Sequence, residues 1–194
     1  YHCFNRGVDK RIIFLDEDDC ERFLMLLYVS NDESSNARIS DLDFHRPSLE
    51  KVMSRRPILG VPHVDIAAYA LMPNHVHIVA RPLSDEGLSL FMQKIFTGYA
   101  MYFNKKYNRA GTLFSGRYKR KHLNTDEYFK HAIQYVLFNP VELFEPHWKS
   151  GRGNLTEIQQ KLRAYRYASV EDFFNPKESG PTIVHNVQKV YFDK

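Results

Sequence analysis

Disulfides are the first support that this chain lacks. Cys3 and Cys20 are its two cysteines, too few for a disulfide framework, so the expected compartment is a reducing cytoplasm. No apolar run approaches the roughly 18 residues that a membrane span needs, and the first residues form no signal-peptide pattern. A membrane partner is therefore not expected. Internal repeats and low-complexity segments are missing as well, which excludes solenoids and Pro- or Gly-rich tails. Strong charge of one sign is absent too. With a net charge of +4, attraction to an anionic partner has to come from a local cluster rather than from the whole molecule. What is present is 194 residues of which 43% are hydrophobic, enough for one domain core with some additions.

Along the chain, 1–6 reads as a strand, followed by a turn at 7–10 and an apolar continuation over 11–15. Asp16 to Asp19 offers a helix N-cap and an acidic first turn, and Phe23, Leu24, Leu26 and Leu27 supply the buried face of the helix behind it. Residues 31–63 break this rhythm with loop composition and one short basic helix at 48–56, an excursion to which no function is assigned. Strand character returns at Val64 to Leu71, and the Pro73-Asn74 turn leads into a second strand, so a hairpin is expected. The longest helical pattern covers 88–107. A further helix over 126–138, capped by Asn124 or Thr125, stops before Pro140. Thr156 to Tyr167 and Ser169 to Phe174 are expected to be helical, and the tail beyond Asn175 extended.

Three stretches carry chemistry. In His75-Val76-His77 on a strand, alternation puts both imidazoles on one face and Val76, Ile78 and Ala80 on the other. Two imidazoles so placed can reach one metal ion, although a chance pairing on a solvated face has the same spacing. From Arg117 to Lys121 cations alternate with Tyr118, the footprint of phosphate attraction plus base stacking. An ordinary basic edge strand has that composition too. On the helix at 126–138, Tyr135 and Asn139 are four residues apart and share a face. Tyr128, seven residues before Tyr135, has Ala132 in the equivalent place.

Five pieces occur together and in order: Asn5-Arg6-Gly7, Phe14-Leu15-Asp16, Met72-Pro73-Asn74-His75-Val76-His77, Leu113-Phe114-Ser115-Gly116-Arg117-Tyr118-Lys119, and Tyr135-Val136-Leu137-Phe138-Asn139-Pro140-Val141. The set resembles the single-tyrosine HUH transposases of bacterial insertion sequences and their REP-associated relatives, over about 1–30 and 64–142. The resemblance implies an α+β fold, a ferredoxin-like or RRM-like antiparallel sheet with helices packed on one face. It implies a transposase domain over 1–145, interrupted by the excursion, with 146–194 as a partly helical extension. It also implies a Mg²⁺ or Mn²⁺ ion held by His75, His77 and Asn139, with Tyr135 as the nucleophile. The implied partner is single-stranded DNA with hairpin ends, met by Arg6, Arg109, Arg117, Tyr118, Lys119, Arg120 and Lys121, and the chain acts as a monomer or homodimer.

Elementary chemistry agrees with this set. A phenol is protonated and poorly nucleophilic at neutral pH, so it needs a polarised target, which a metal-bound phosphate provides. Covalent capture conserves the phosphoester, so rejoining needs no ATP. An amide oxygen and water beside two imidazoles suit Mg²⁺ or Mn²⁺ better than a thiolate-rich site would. Two alternatives share these residues: a hairpin-binding protein that no longer cuts, and a phosphodiesterase in which water attacks. A DNA adduct that survives boiling in detergent separates the strand transferase from both.

Overall fold

The apolar runs on either side of Pro73-Asn74 form a hairpin in the computed structural model, which describes residues 1–33, 48–55, 60–151, 153–175 and 182–184. Its strands β2 (Val64–Met72) and β3 (His75–Pro82) pair antiparallel, with Met72 opposite His75 and Ala70 opposite His77. The strand β1 (His2–Arg6) pairs with the other side of β3 and sets Phe4 opposite His77 and Arg6 opposite His75. Beyond β1 lies β4 (Lys119–Lys121), completing a four-stranded antiparallel sheet in the order β2-β3-β1-β4. The basic stretch is thus a strand for three residues only. Before it, Gly116 at φ 139° turns the chain out of the extended region.

Helices α1 (Glu17–Val29) and α3 (Gly87–Lys106) cover one face of the sheet. Val76, Ile78 and Ala80 point into that core, as alternation requires, and Phe14, Phe23, Phe96 and Tyr99 interlock above them. Asp16 caps α1 by accepting from the Asp19 N–H at 3.0 Å. Asp19 is fully buried and joins the two helices. It accepts from the Leu15 N–H at 2.8 Å, the Tyr107 hydroxyl at 2.8 Å and the Lys106 ammonium at 2.9 Å. The acidic start of α1 is therefore a cap and a tether, as a structural helix needs.

The short helix α2 (Leu49–Arg55) lies in the excursion, whose loop at 34–47 and 56–59 falls outside the described residues, as does the expected extended tail at 176–181 and 185–194. Helix α4 (Asp126–Phe138) is capped by Thr125, which accepts from the Tyr128 N–H at 3.1 Å. Behind it come α5 (Val141–Phe144), α6 (Leu155–Ala164) and α7 (Val170–Phe174).

The α+β class is as expected, but helices lie on both faces. α4 packs opposite α1 and α3, where Ala132, Ile133, Val136 and Leu137 meet Ala67, Ala68, Ala70 and Val79. The reason is visible in β2, whose 66–72 are buried without alternation. A strand covered on both faces reads as a continuous apolar run. Its outer edge is closed as well: the Leu71 N–H donates to Tyr167 O at 2.9 Å, and the Ser169 N–H to Tyr69 O at 3.0 Å.

Loops at one end of the sheet are bound into a single knot. Gly7 N–H donates to Asn74 O at 2.9 Å, Ser115 N–H to Arg6 O at 2.9 Å, and Ile13 N–H to Pro73 O at 2.8 Å. Asn5 Nδ2 donates to Gly116 O at 3.2 Å. Gly7 sits where no side chain fits, because a Cβ there would lie 2.4 Å from the Arg11 carbonyl oxygen and 2.8 Å from an Ile13 methyl. Gly7→Ala is therefore expected to destabilise the fold by about 1–3 kcal/mol, read as a lower urea midpoint with an unchanged slope. An unchanged midpoint would mean that the Arg11 backbone moves aside freely.

Candidate active site

The site begins with alternation along β3 and its neighbours. Residues opposite one another in an antiparallel pair share a face, so His75, His77, Phe4, His2, Arg6, Lys119 and Lys121 all project from the α4 side of the sheet. α4 lies over β2 and β3, leaving His2 and Phe4 half-buried and Arg6, Lys119 and Lys121 exposed beside it. The result is an open strip of aromatic rings rimmed with cations.

His75 and His77 stand ring to ring at 4.9 Å, near perpendicular. The Tyr135 ring lies 5.3 Å from that of His77 and 5.8 Å from that of His2, and the residue is 48% exposed. Asn139, the C-cap of α4, is buried. Its side chain lies close enough to His75 to favour the charged imidazole, yet Oδ1 makes no hydrogen bond of ordinary geometry. His77 Nε2 is likewise buried and has no partner among the described residues. Buried polar atoms left unpaired are costly, and here two of them occur among the three residues of the expected ligand set.

The other ring nitrogens are engaged. His75 Nδ1–H donates to Asn74 Oδ1 at 2.6 Å, and His77 Nδ1 shares a hydrogen bond with His2 Nε2 at 2.9 Å. This arrangement leaves the Nε2 lone pair of His75 free and orients both rings, as the outer partners of metal-bound histidines do. Among the described residues no group of three or more His, Cys, Asp or Glu is placed to hold a metal. The two imidazoles lie beside the Asn139 side chain, a nitrogen and oxygen donor chemistry.

All three histidines are held neutral. Burial pushes His77 down to about 3, and the repulsion its imidazolium would feel from a protonated His2 or His75 adds to it. His2 falls to about 4 for the same leading reason, helped by Lys121. His75 is lowered by burial and then by Arg6. Neutral imidazole is the form that ligates.

The remaining expected residues do not all converge. Tyr128 is exposed one turn or more toward the start of α4, its ring 5.4 Å from the Lys121 ammonium. Arg117 is exposed in the loop before β4. Arg120 is opposite Cys3 and so projects from the other face, over the Tyr1 ring at 5.3 Å. Tyr118 stacks on Phe96, and Arg109 donates to Asn104 Oδ1 at 2.9 Å. Both of these are used in packing around α3. Sequence reasoning missed His2 and Phe4. Alternation along β1 groups them with Arg6, but only the pairing with β3 brings that face to His77.

A family model described as Transposase IS200 like matches residues 49–138. The matched stretch runs from α2 to the end of α4. It contains His75, His77 and Tyr135, ends one residue before Asn139, and excludes β1. Neither curated proteins nor solved structures give a match.

The neutral histidines generate a pH dependence. With pKa values of about 4 and about 3 in the fold against an ordinary 6.5, His2 and His77 take up protons more readily when the chain is unfolded. More protons on the unfolded state mean that stability rises with pH. Their contribution is therefore complete above about pH 6.5 and is lost progressively as pH falls toward 4. Urea midpoints should drop over that range, and His2→Gln should make the drop shallower. An identical slope in wild type and His2→Gln would contradict the burial assignment.

Proposed function

Residues 49–138 belong to the IS200-like transposase family, and from that premise we propose that the chain cleaves and rejoins single-stranded, hairpin-bearing DNA through a covalent phosphotyrosine. The observation that carries this reading is the juxtaposition of the exposed Tyr135 phenol with two buried, unpartnered ligand atoms, His77 Nε2 and Asn139 Oδ1. A transposase role implies a DNA partner. No helix among the described residues is long and apolar enough to cross a membrane.

In this reading Tyr135 Oη attacks phosphorus in line with the leaving 3′-oxygen. The Oη–P bond forms, the P–O3′ bond breaks, the phenolic proton is lost, and the 3′-oxygen departs as a hydroxyl after gaining a proton. The DNA is left with a 5′-phosphotyrosine and a free 3′-hydroxyl. Attack by another strand's 3′-hydroxyl reverses each bond change and regenerates the phenol, with the ester energy conserved. His75, His77 and Asn139 would hold Mg²⁺ or Mn²⁺, which when bound draws charge from the phosphate oxygens. His2 is a positioning residue: its Nε2 accepts a hydrogen bond from His77 Nδ1–H, which fixes the tautomer in which His77 Nε2 keeps its lone pair. The strand lies over His2 and Phe4, where bases find rings to stack on and Arg6, Lys119 and Lys121 meet phosphates.

Two experiments test this reading. Tyr135→Phe removes one oxygen, keeps the ring, and is expected to abolish the detergent-stable adduct with a labelled single-stranded hairpin and Mn²⁺, while Tyr128→Phe still forms it. Excess EDTA should abolish the adduct in wild type. Label on Tyr128, or full adduct in EDTA, would overturn the assignment, and hairpin binding with no adduct at all would leave a non-cutting binder.

The second concerns the DNA path. Replacing Lys119 and Lys121 together should flatten the slope of log affinity against log salt by about 0.7 for each phosphate that is no longer neutralised. Arg120→Ala, on the opposite face, should change the slope less. An equal effect from Arg120→Ala would place the DNA on the other side of the sheet.

A further inference from the structure

Beside Tyr135 the surface opens into a hollow of about 340 Å³, lined by residues of α4 and of the segment that follows it. Its size lies near the lower end of the roughly 300–1,000 Å³ range of small-molecule sites, room for one flat heterocycle and not for a folded hairpin. Phe138 and Trp148 form an aromatic wall, their rings near parallel at 26° with centroids 6.1 Å apart. Gln134 lines the hollow with a free amide, while Glu142 is held in an ion pair with Lys149. Tyr135 and Asn139 line it too, so the hollow and the active site share a wall.

The Gln134 amide offers that wall both a donor and an acceptor. Beside a residue that would carry a DNA phosphate, the ligand with a flat ring and acceptors on its edge is a nucleobase.

We propose that this hollow is a base pocket. It receives the base of one nucleotide flanking the scissile phosphate, with its ring against Phe138 and its edge toward the Gln134 amide. This rests on the strand-transfer reading for the position of the phosphate. It adds a protein-side contribution to where the strand is cut: the base is drawn out of its stack, and the neighbouring phosphate is set against Tyr135 Oη. Enzymes that hold an extruded base read it in this way, by stacking and edge contacts.

Trp148 is the only tryptophan in the chain, so its fluorescence reports on this pocket alone. The test uses the Tyr135→Phe protein without added metal, so that no chemistry intervenes. Short homopolymers of dA, dC and dT are compared with an abasic phosphodiester strand of the same length. The expected result is quenching by base-bearing strands and none by the abasic strand, although the abasic strand still binds by anisotropy through the basic rim. Gln134→Ala should weaken base-bearing strands by roughly tenfold and leave the abasic strand within about twofold, given the usual worth of one bound base. Equal quenching by the abasic strand, no quenching by any strand, or equal weakening of both strand types would each overturn the pocket. The adduct assay is independent of this one. Quenching without any adduct in wild type would refute strand transfer and keep a base site, whereas adduct without quenching would refute the pocket alone.

Discussion

Everything at the site depends on how closely α4 can approach the sheet. Ala67, Ala68 and Ala70 on β2 present little side chain on that face, and α4 answers with Ala132 and short aliphatic residues. Small residues at a packed contact let two backbones come near each other, and close-packed interiors leave little slack for adjustment. Helix α4 therefore has one seat. Tyr135 stands on its shoulder and Asn139 at its last turn, so both are delivered to the histidines on β3 by the same contact. Pro140 follows at once and ends the helix there.

A second constraint holds the strand end of the site. Asn5-Arg6-Gly7, Pro73-Asn74 and the stretch from Leu113 to Gly116 are far apart in the chain, yet they hydrogen-bond to one another. Much of what looks like a catalytic signature is thus scaffolding. Gly7 is needed because the Arg11 carbonyl occupies the place of a side chain, and Asn74 orients His75. The motif residues that face the proposed reaction are fewer than the motif suggests: His75, His77, Tyr135 and Asn139.

Electrostatics divides the α4 face of the sheet into two zones. His77 is buried, His2 and His75 are half-buried, and desolvation keeps the imidazoles neutral. The cations Arg6, Lys119 and Lys121 stand beside them in solvent, and the charges of Arg6 and Lys121 further disfavour protonation of His75 and His2. A polyanion approaching the rim would find its phosphates drawn toward a dry, uncharged site. Imidazoles toward the interior and exposed cations on one face follow from the register of β1 between β3 and β4.

Local pattern was enough for the hairpin, the shared face of His75 and His77, the one-turn spacing of Tyr135 and Asn139, and the N-caps to within a choice, Asn124 or Thr125 for α4 and one of Asp16 to Asp19 for α1. Each of these depends on residues within a few positions of one another, and alternation or the helical period settles them. The family resemblance carried the same four residues into one proposed site. Which face α4 would occupy was not legible as written, although the unbroken apolar run of β2 was its trace. His2, Phe4 and the hollow at Trp148 were beyond local pattern altogether. His2 meets His77 across 75 positions of chain, and the separation of Lys119 and Lys121 from Arg120 acquires a direction only once β4 pairs with β1. Periodicity says which residues share a face; strand order and helix seating, set by long-range packing, decide what that face meets.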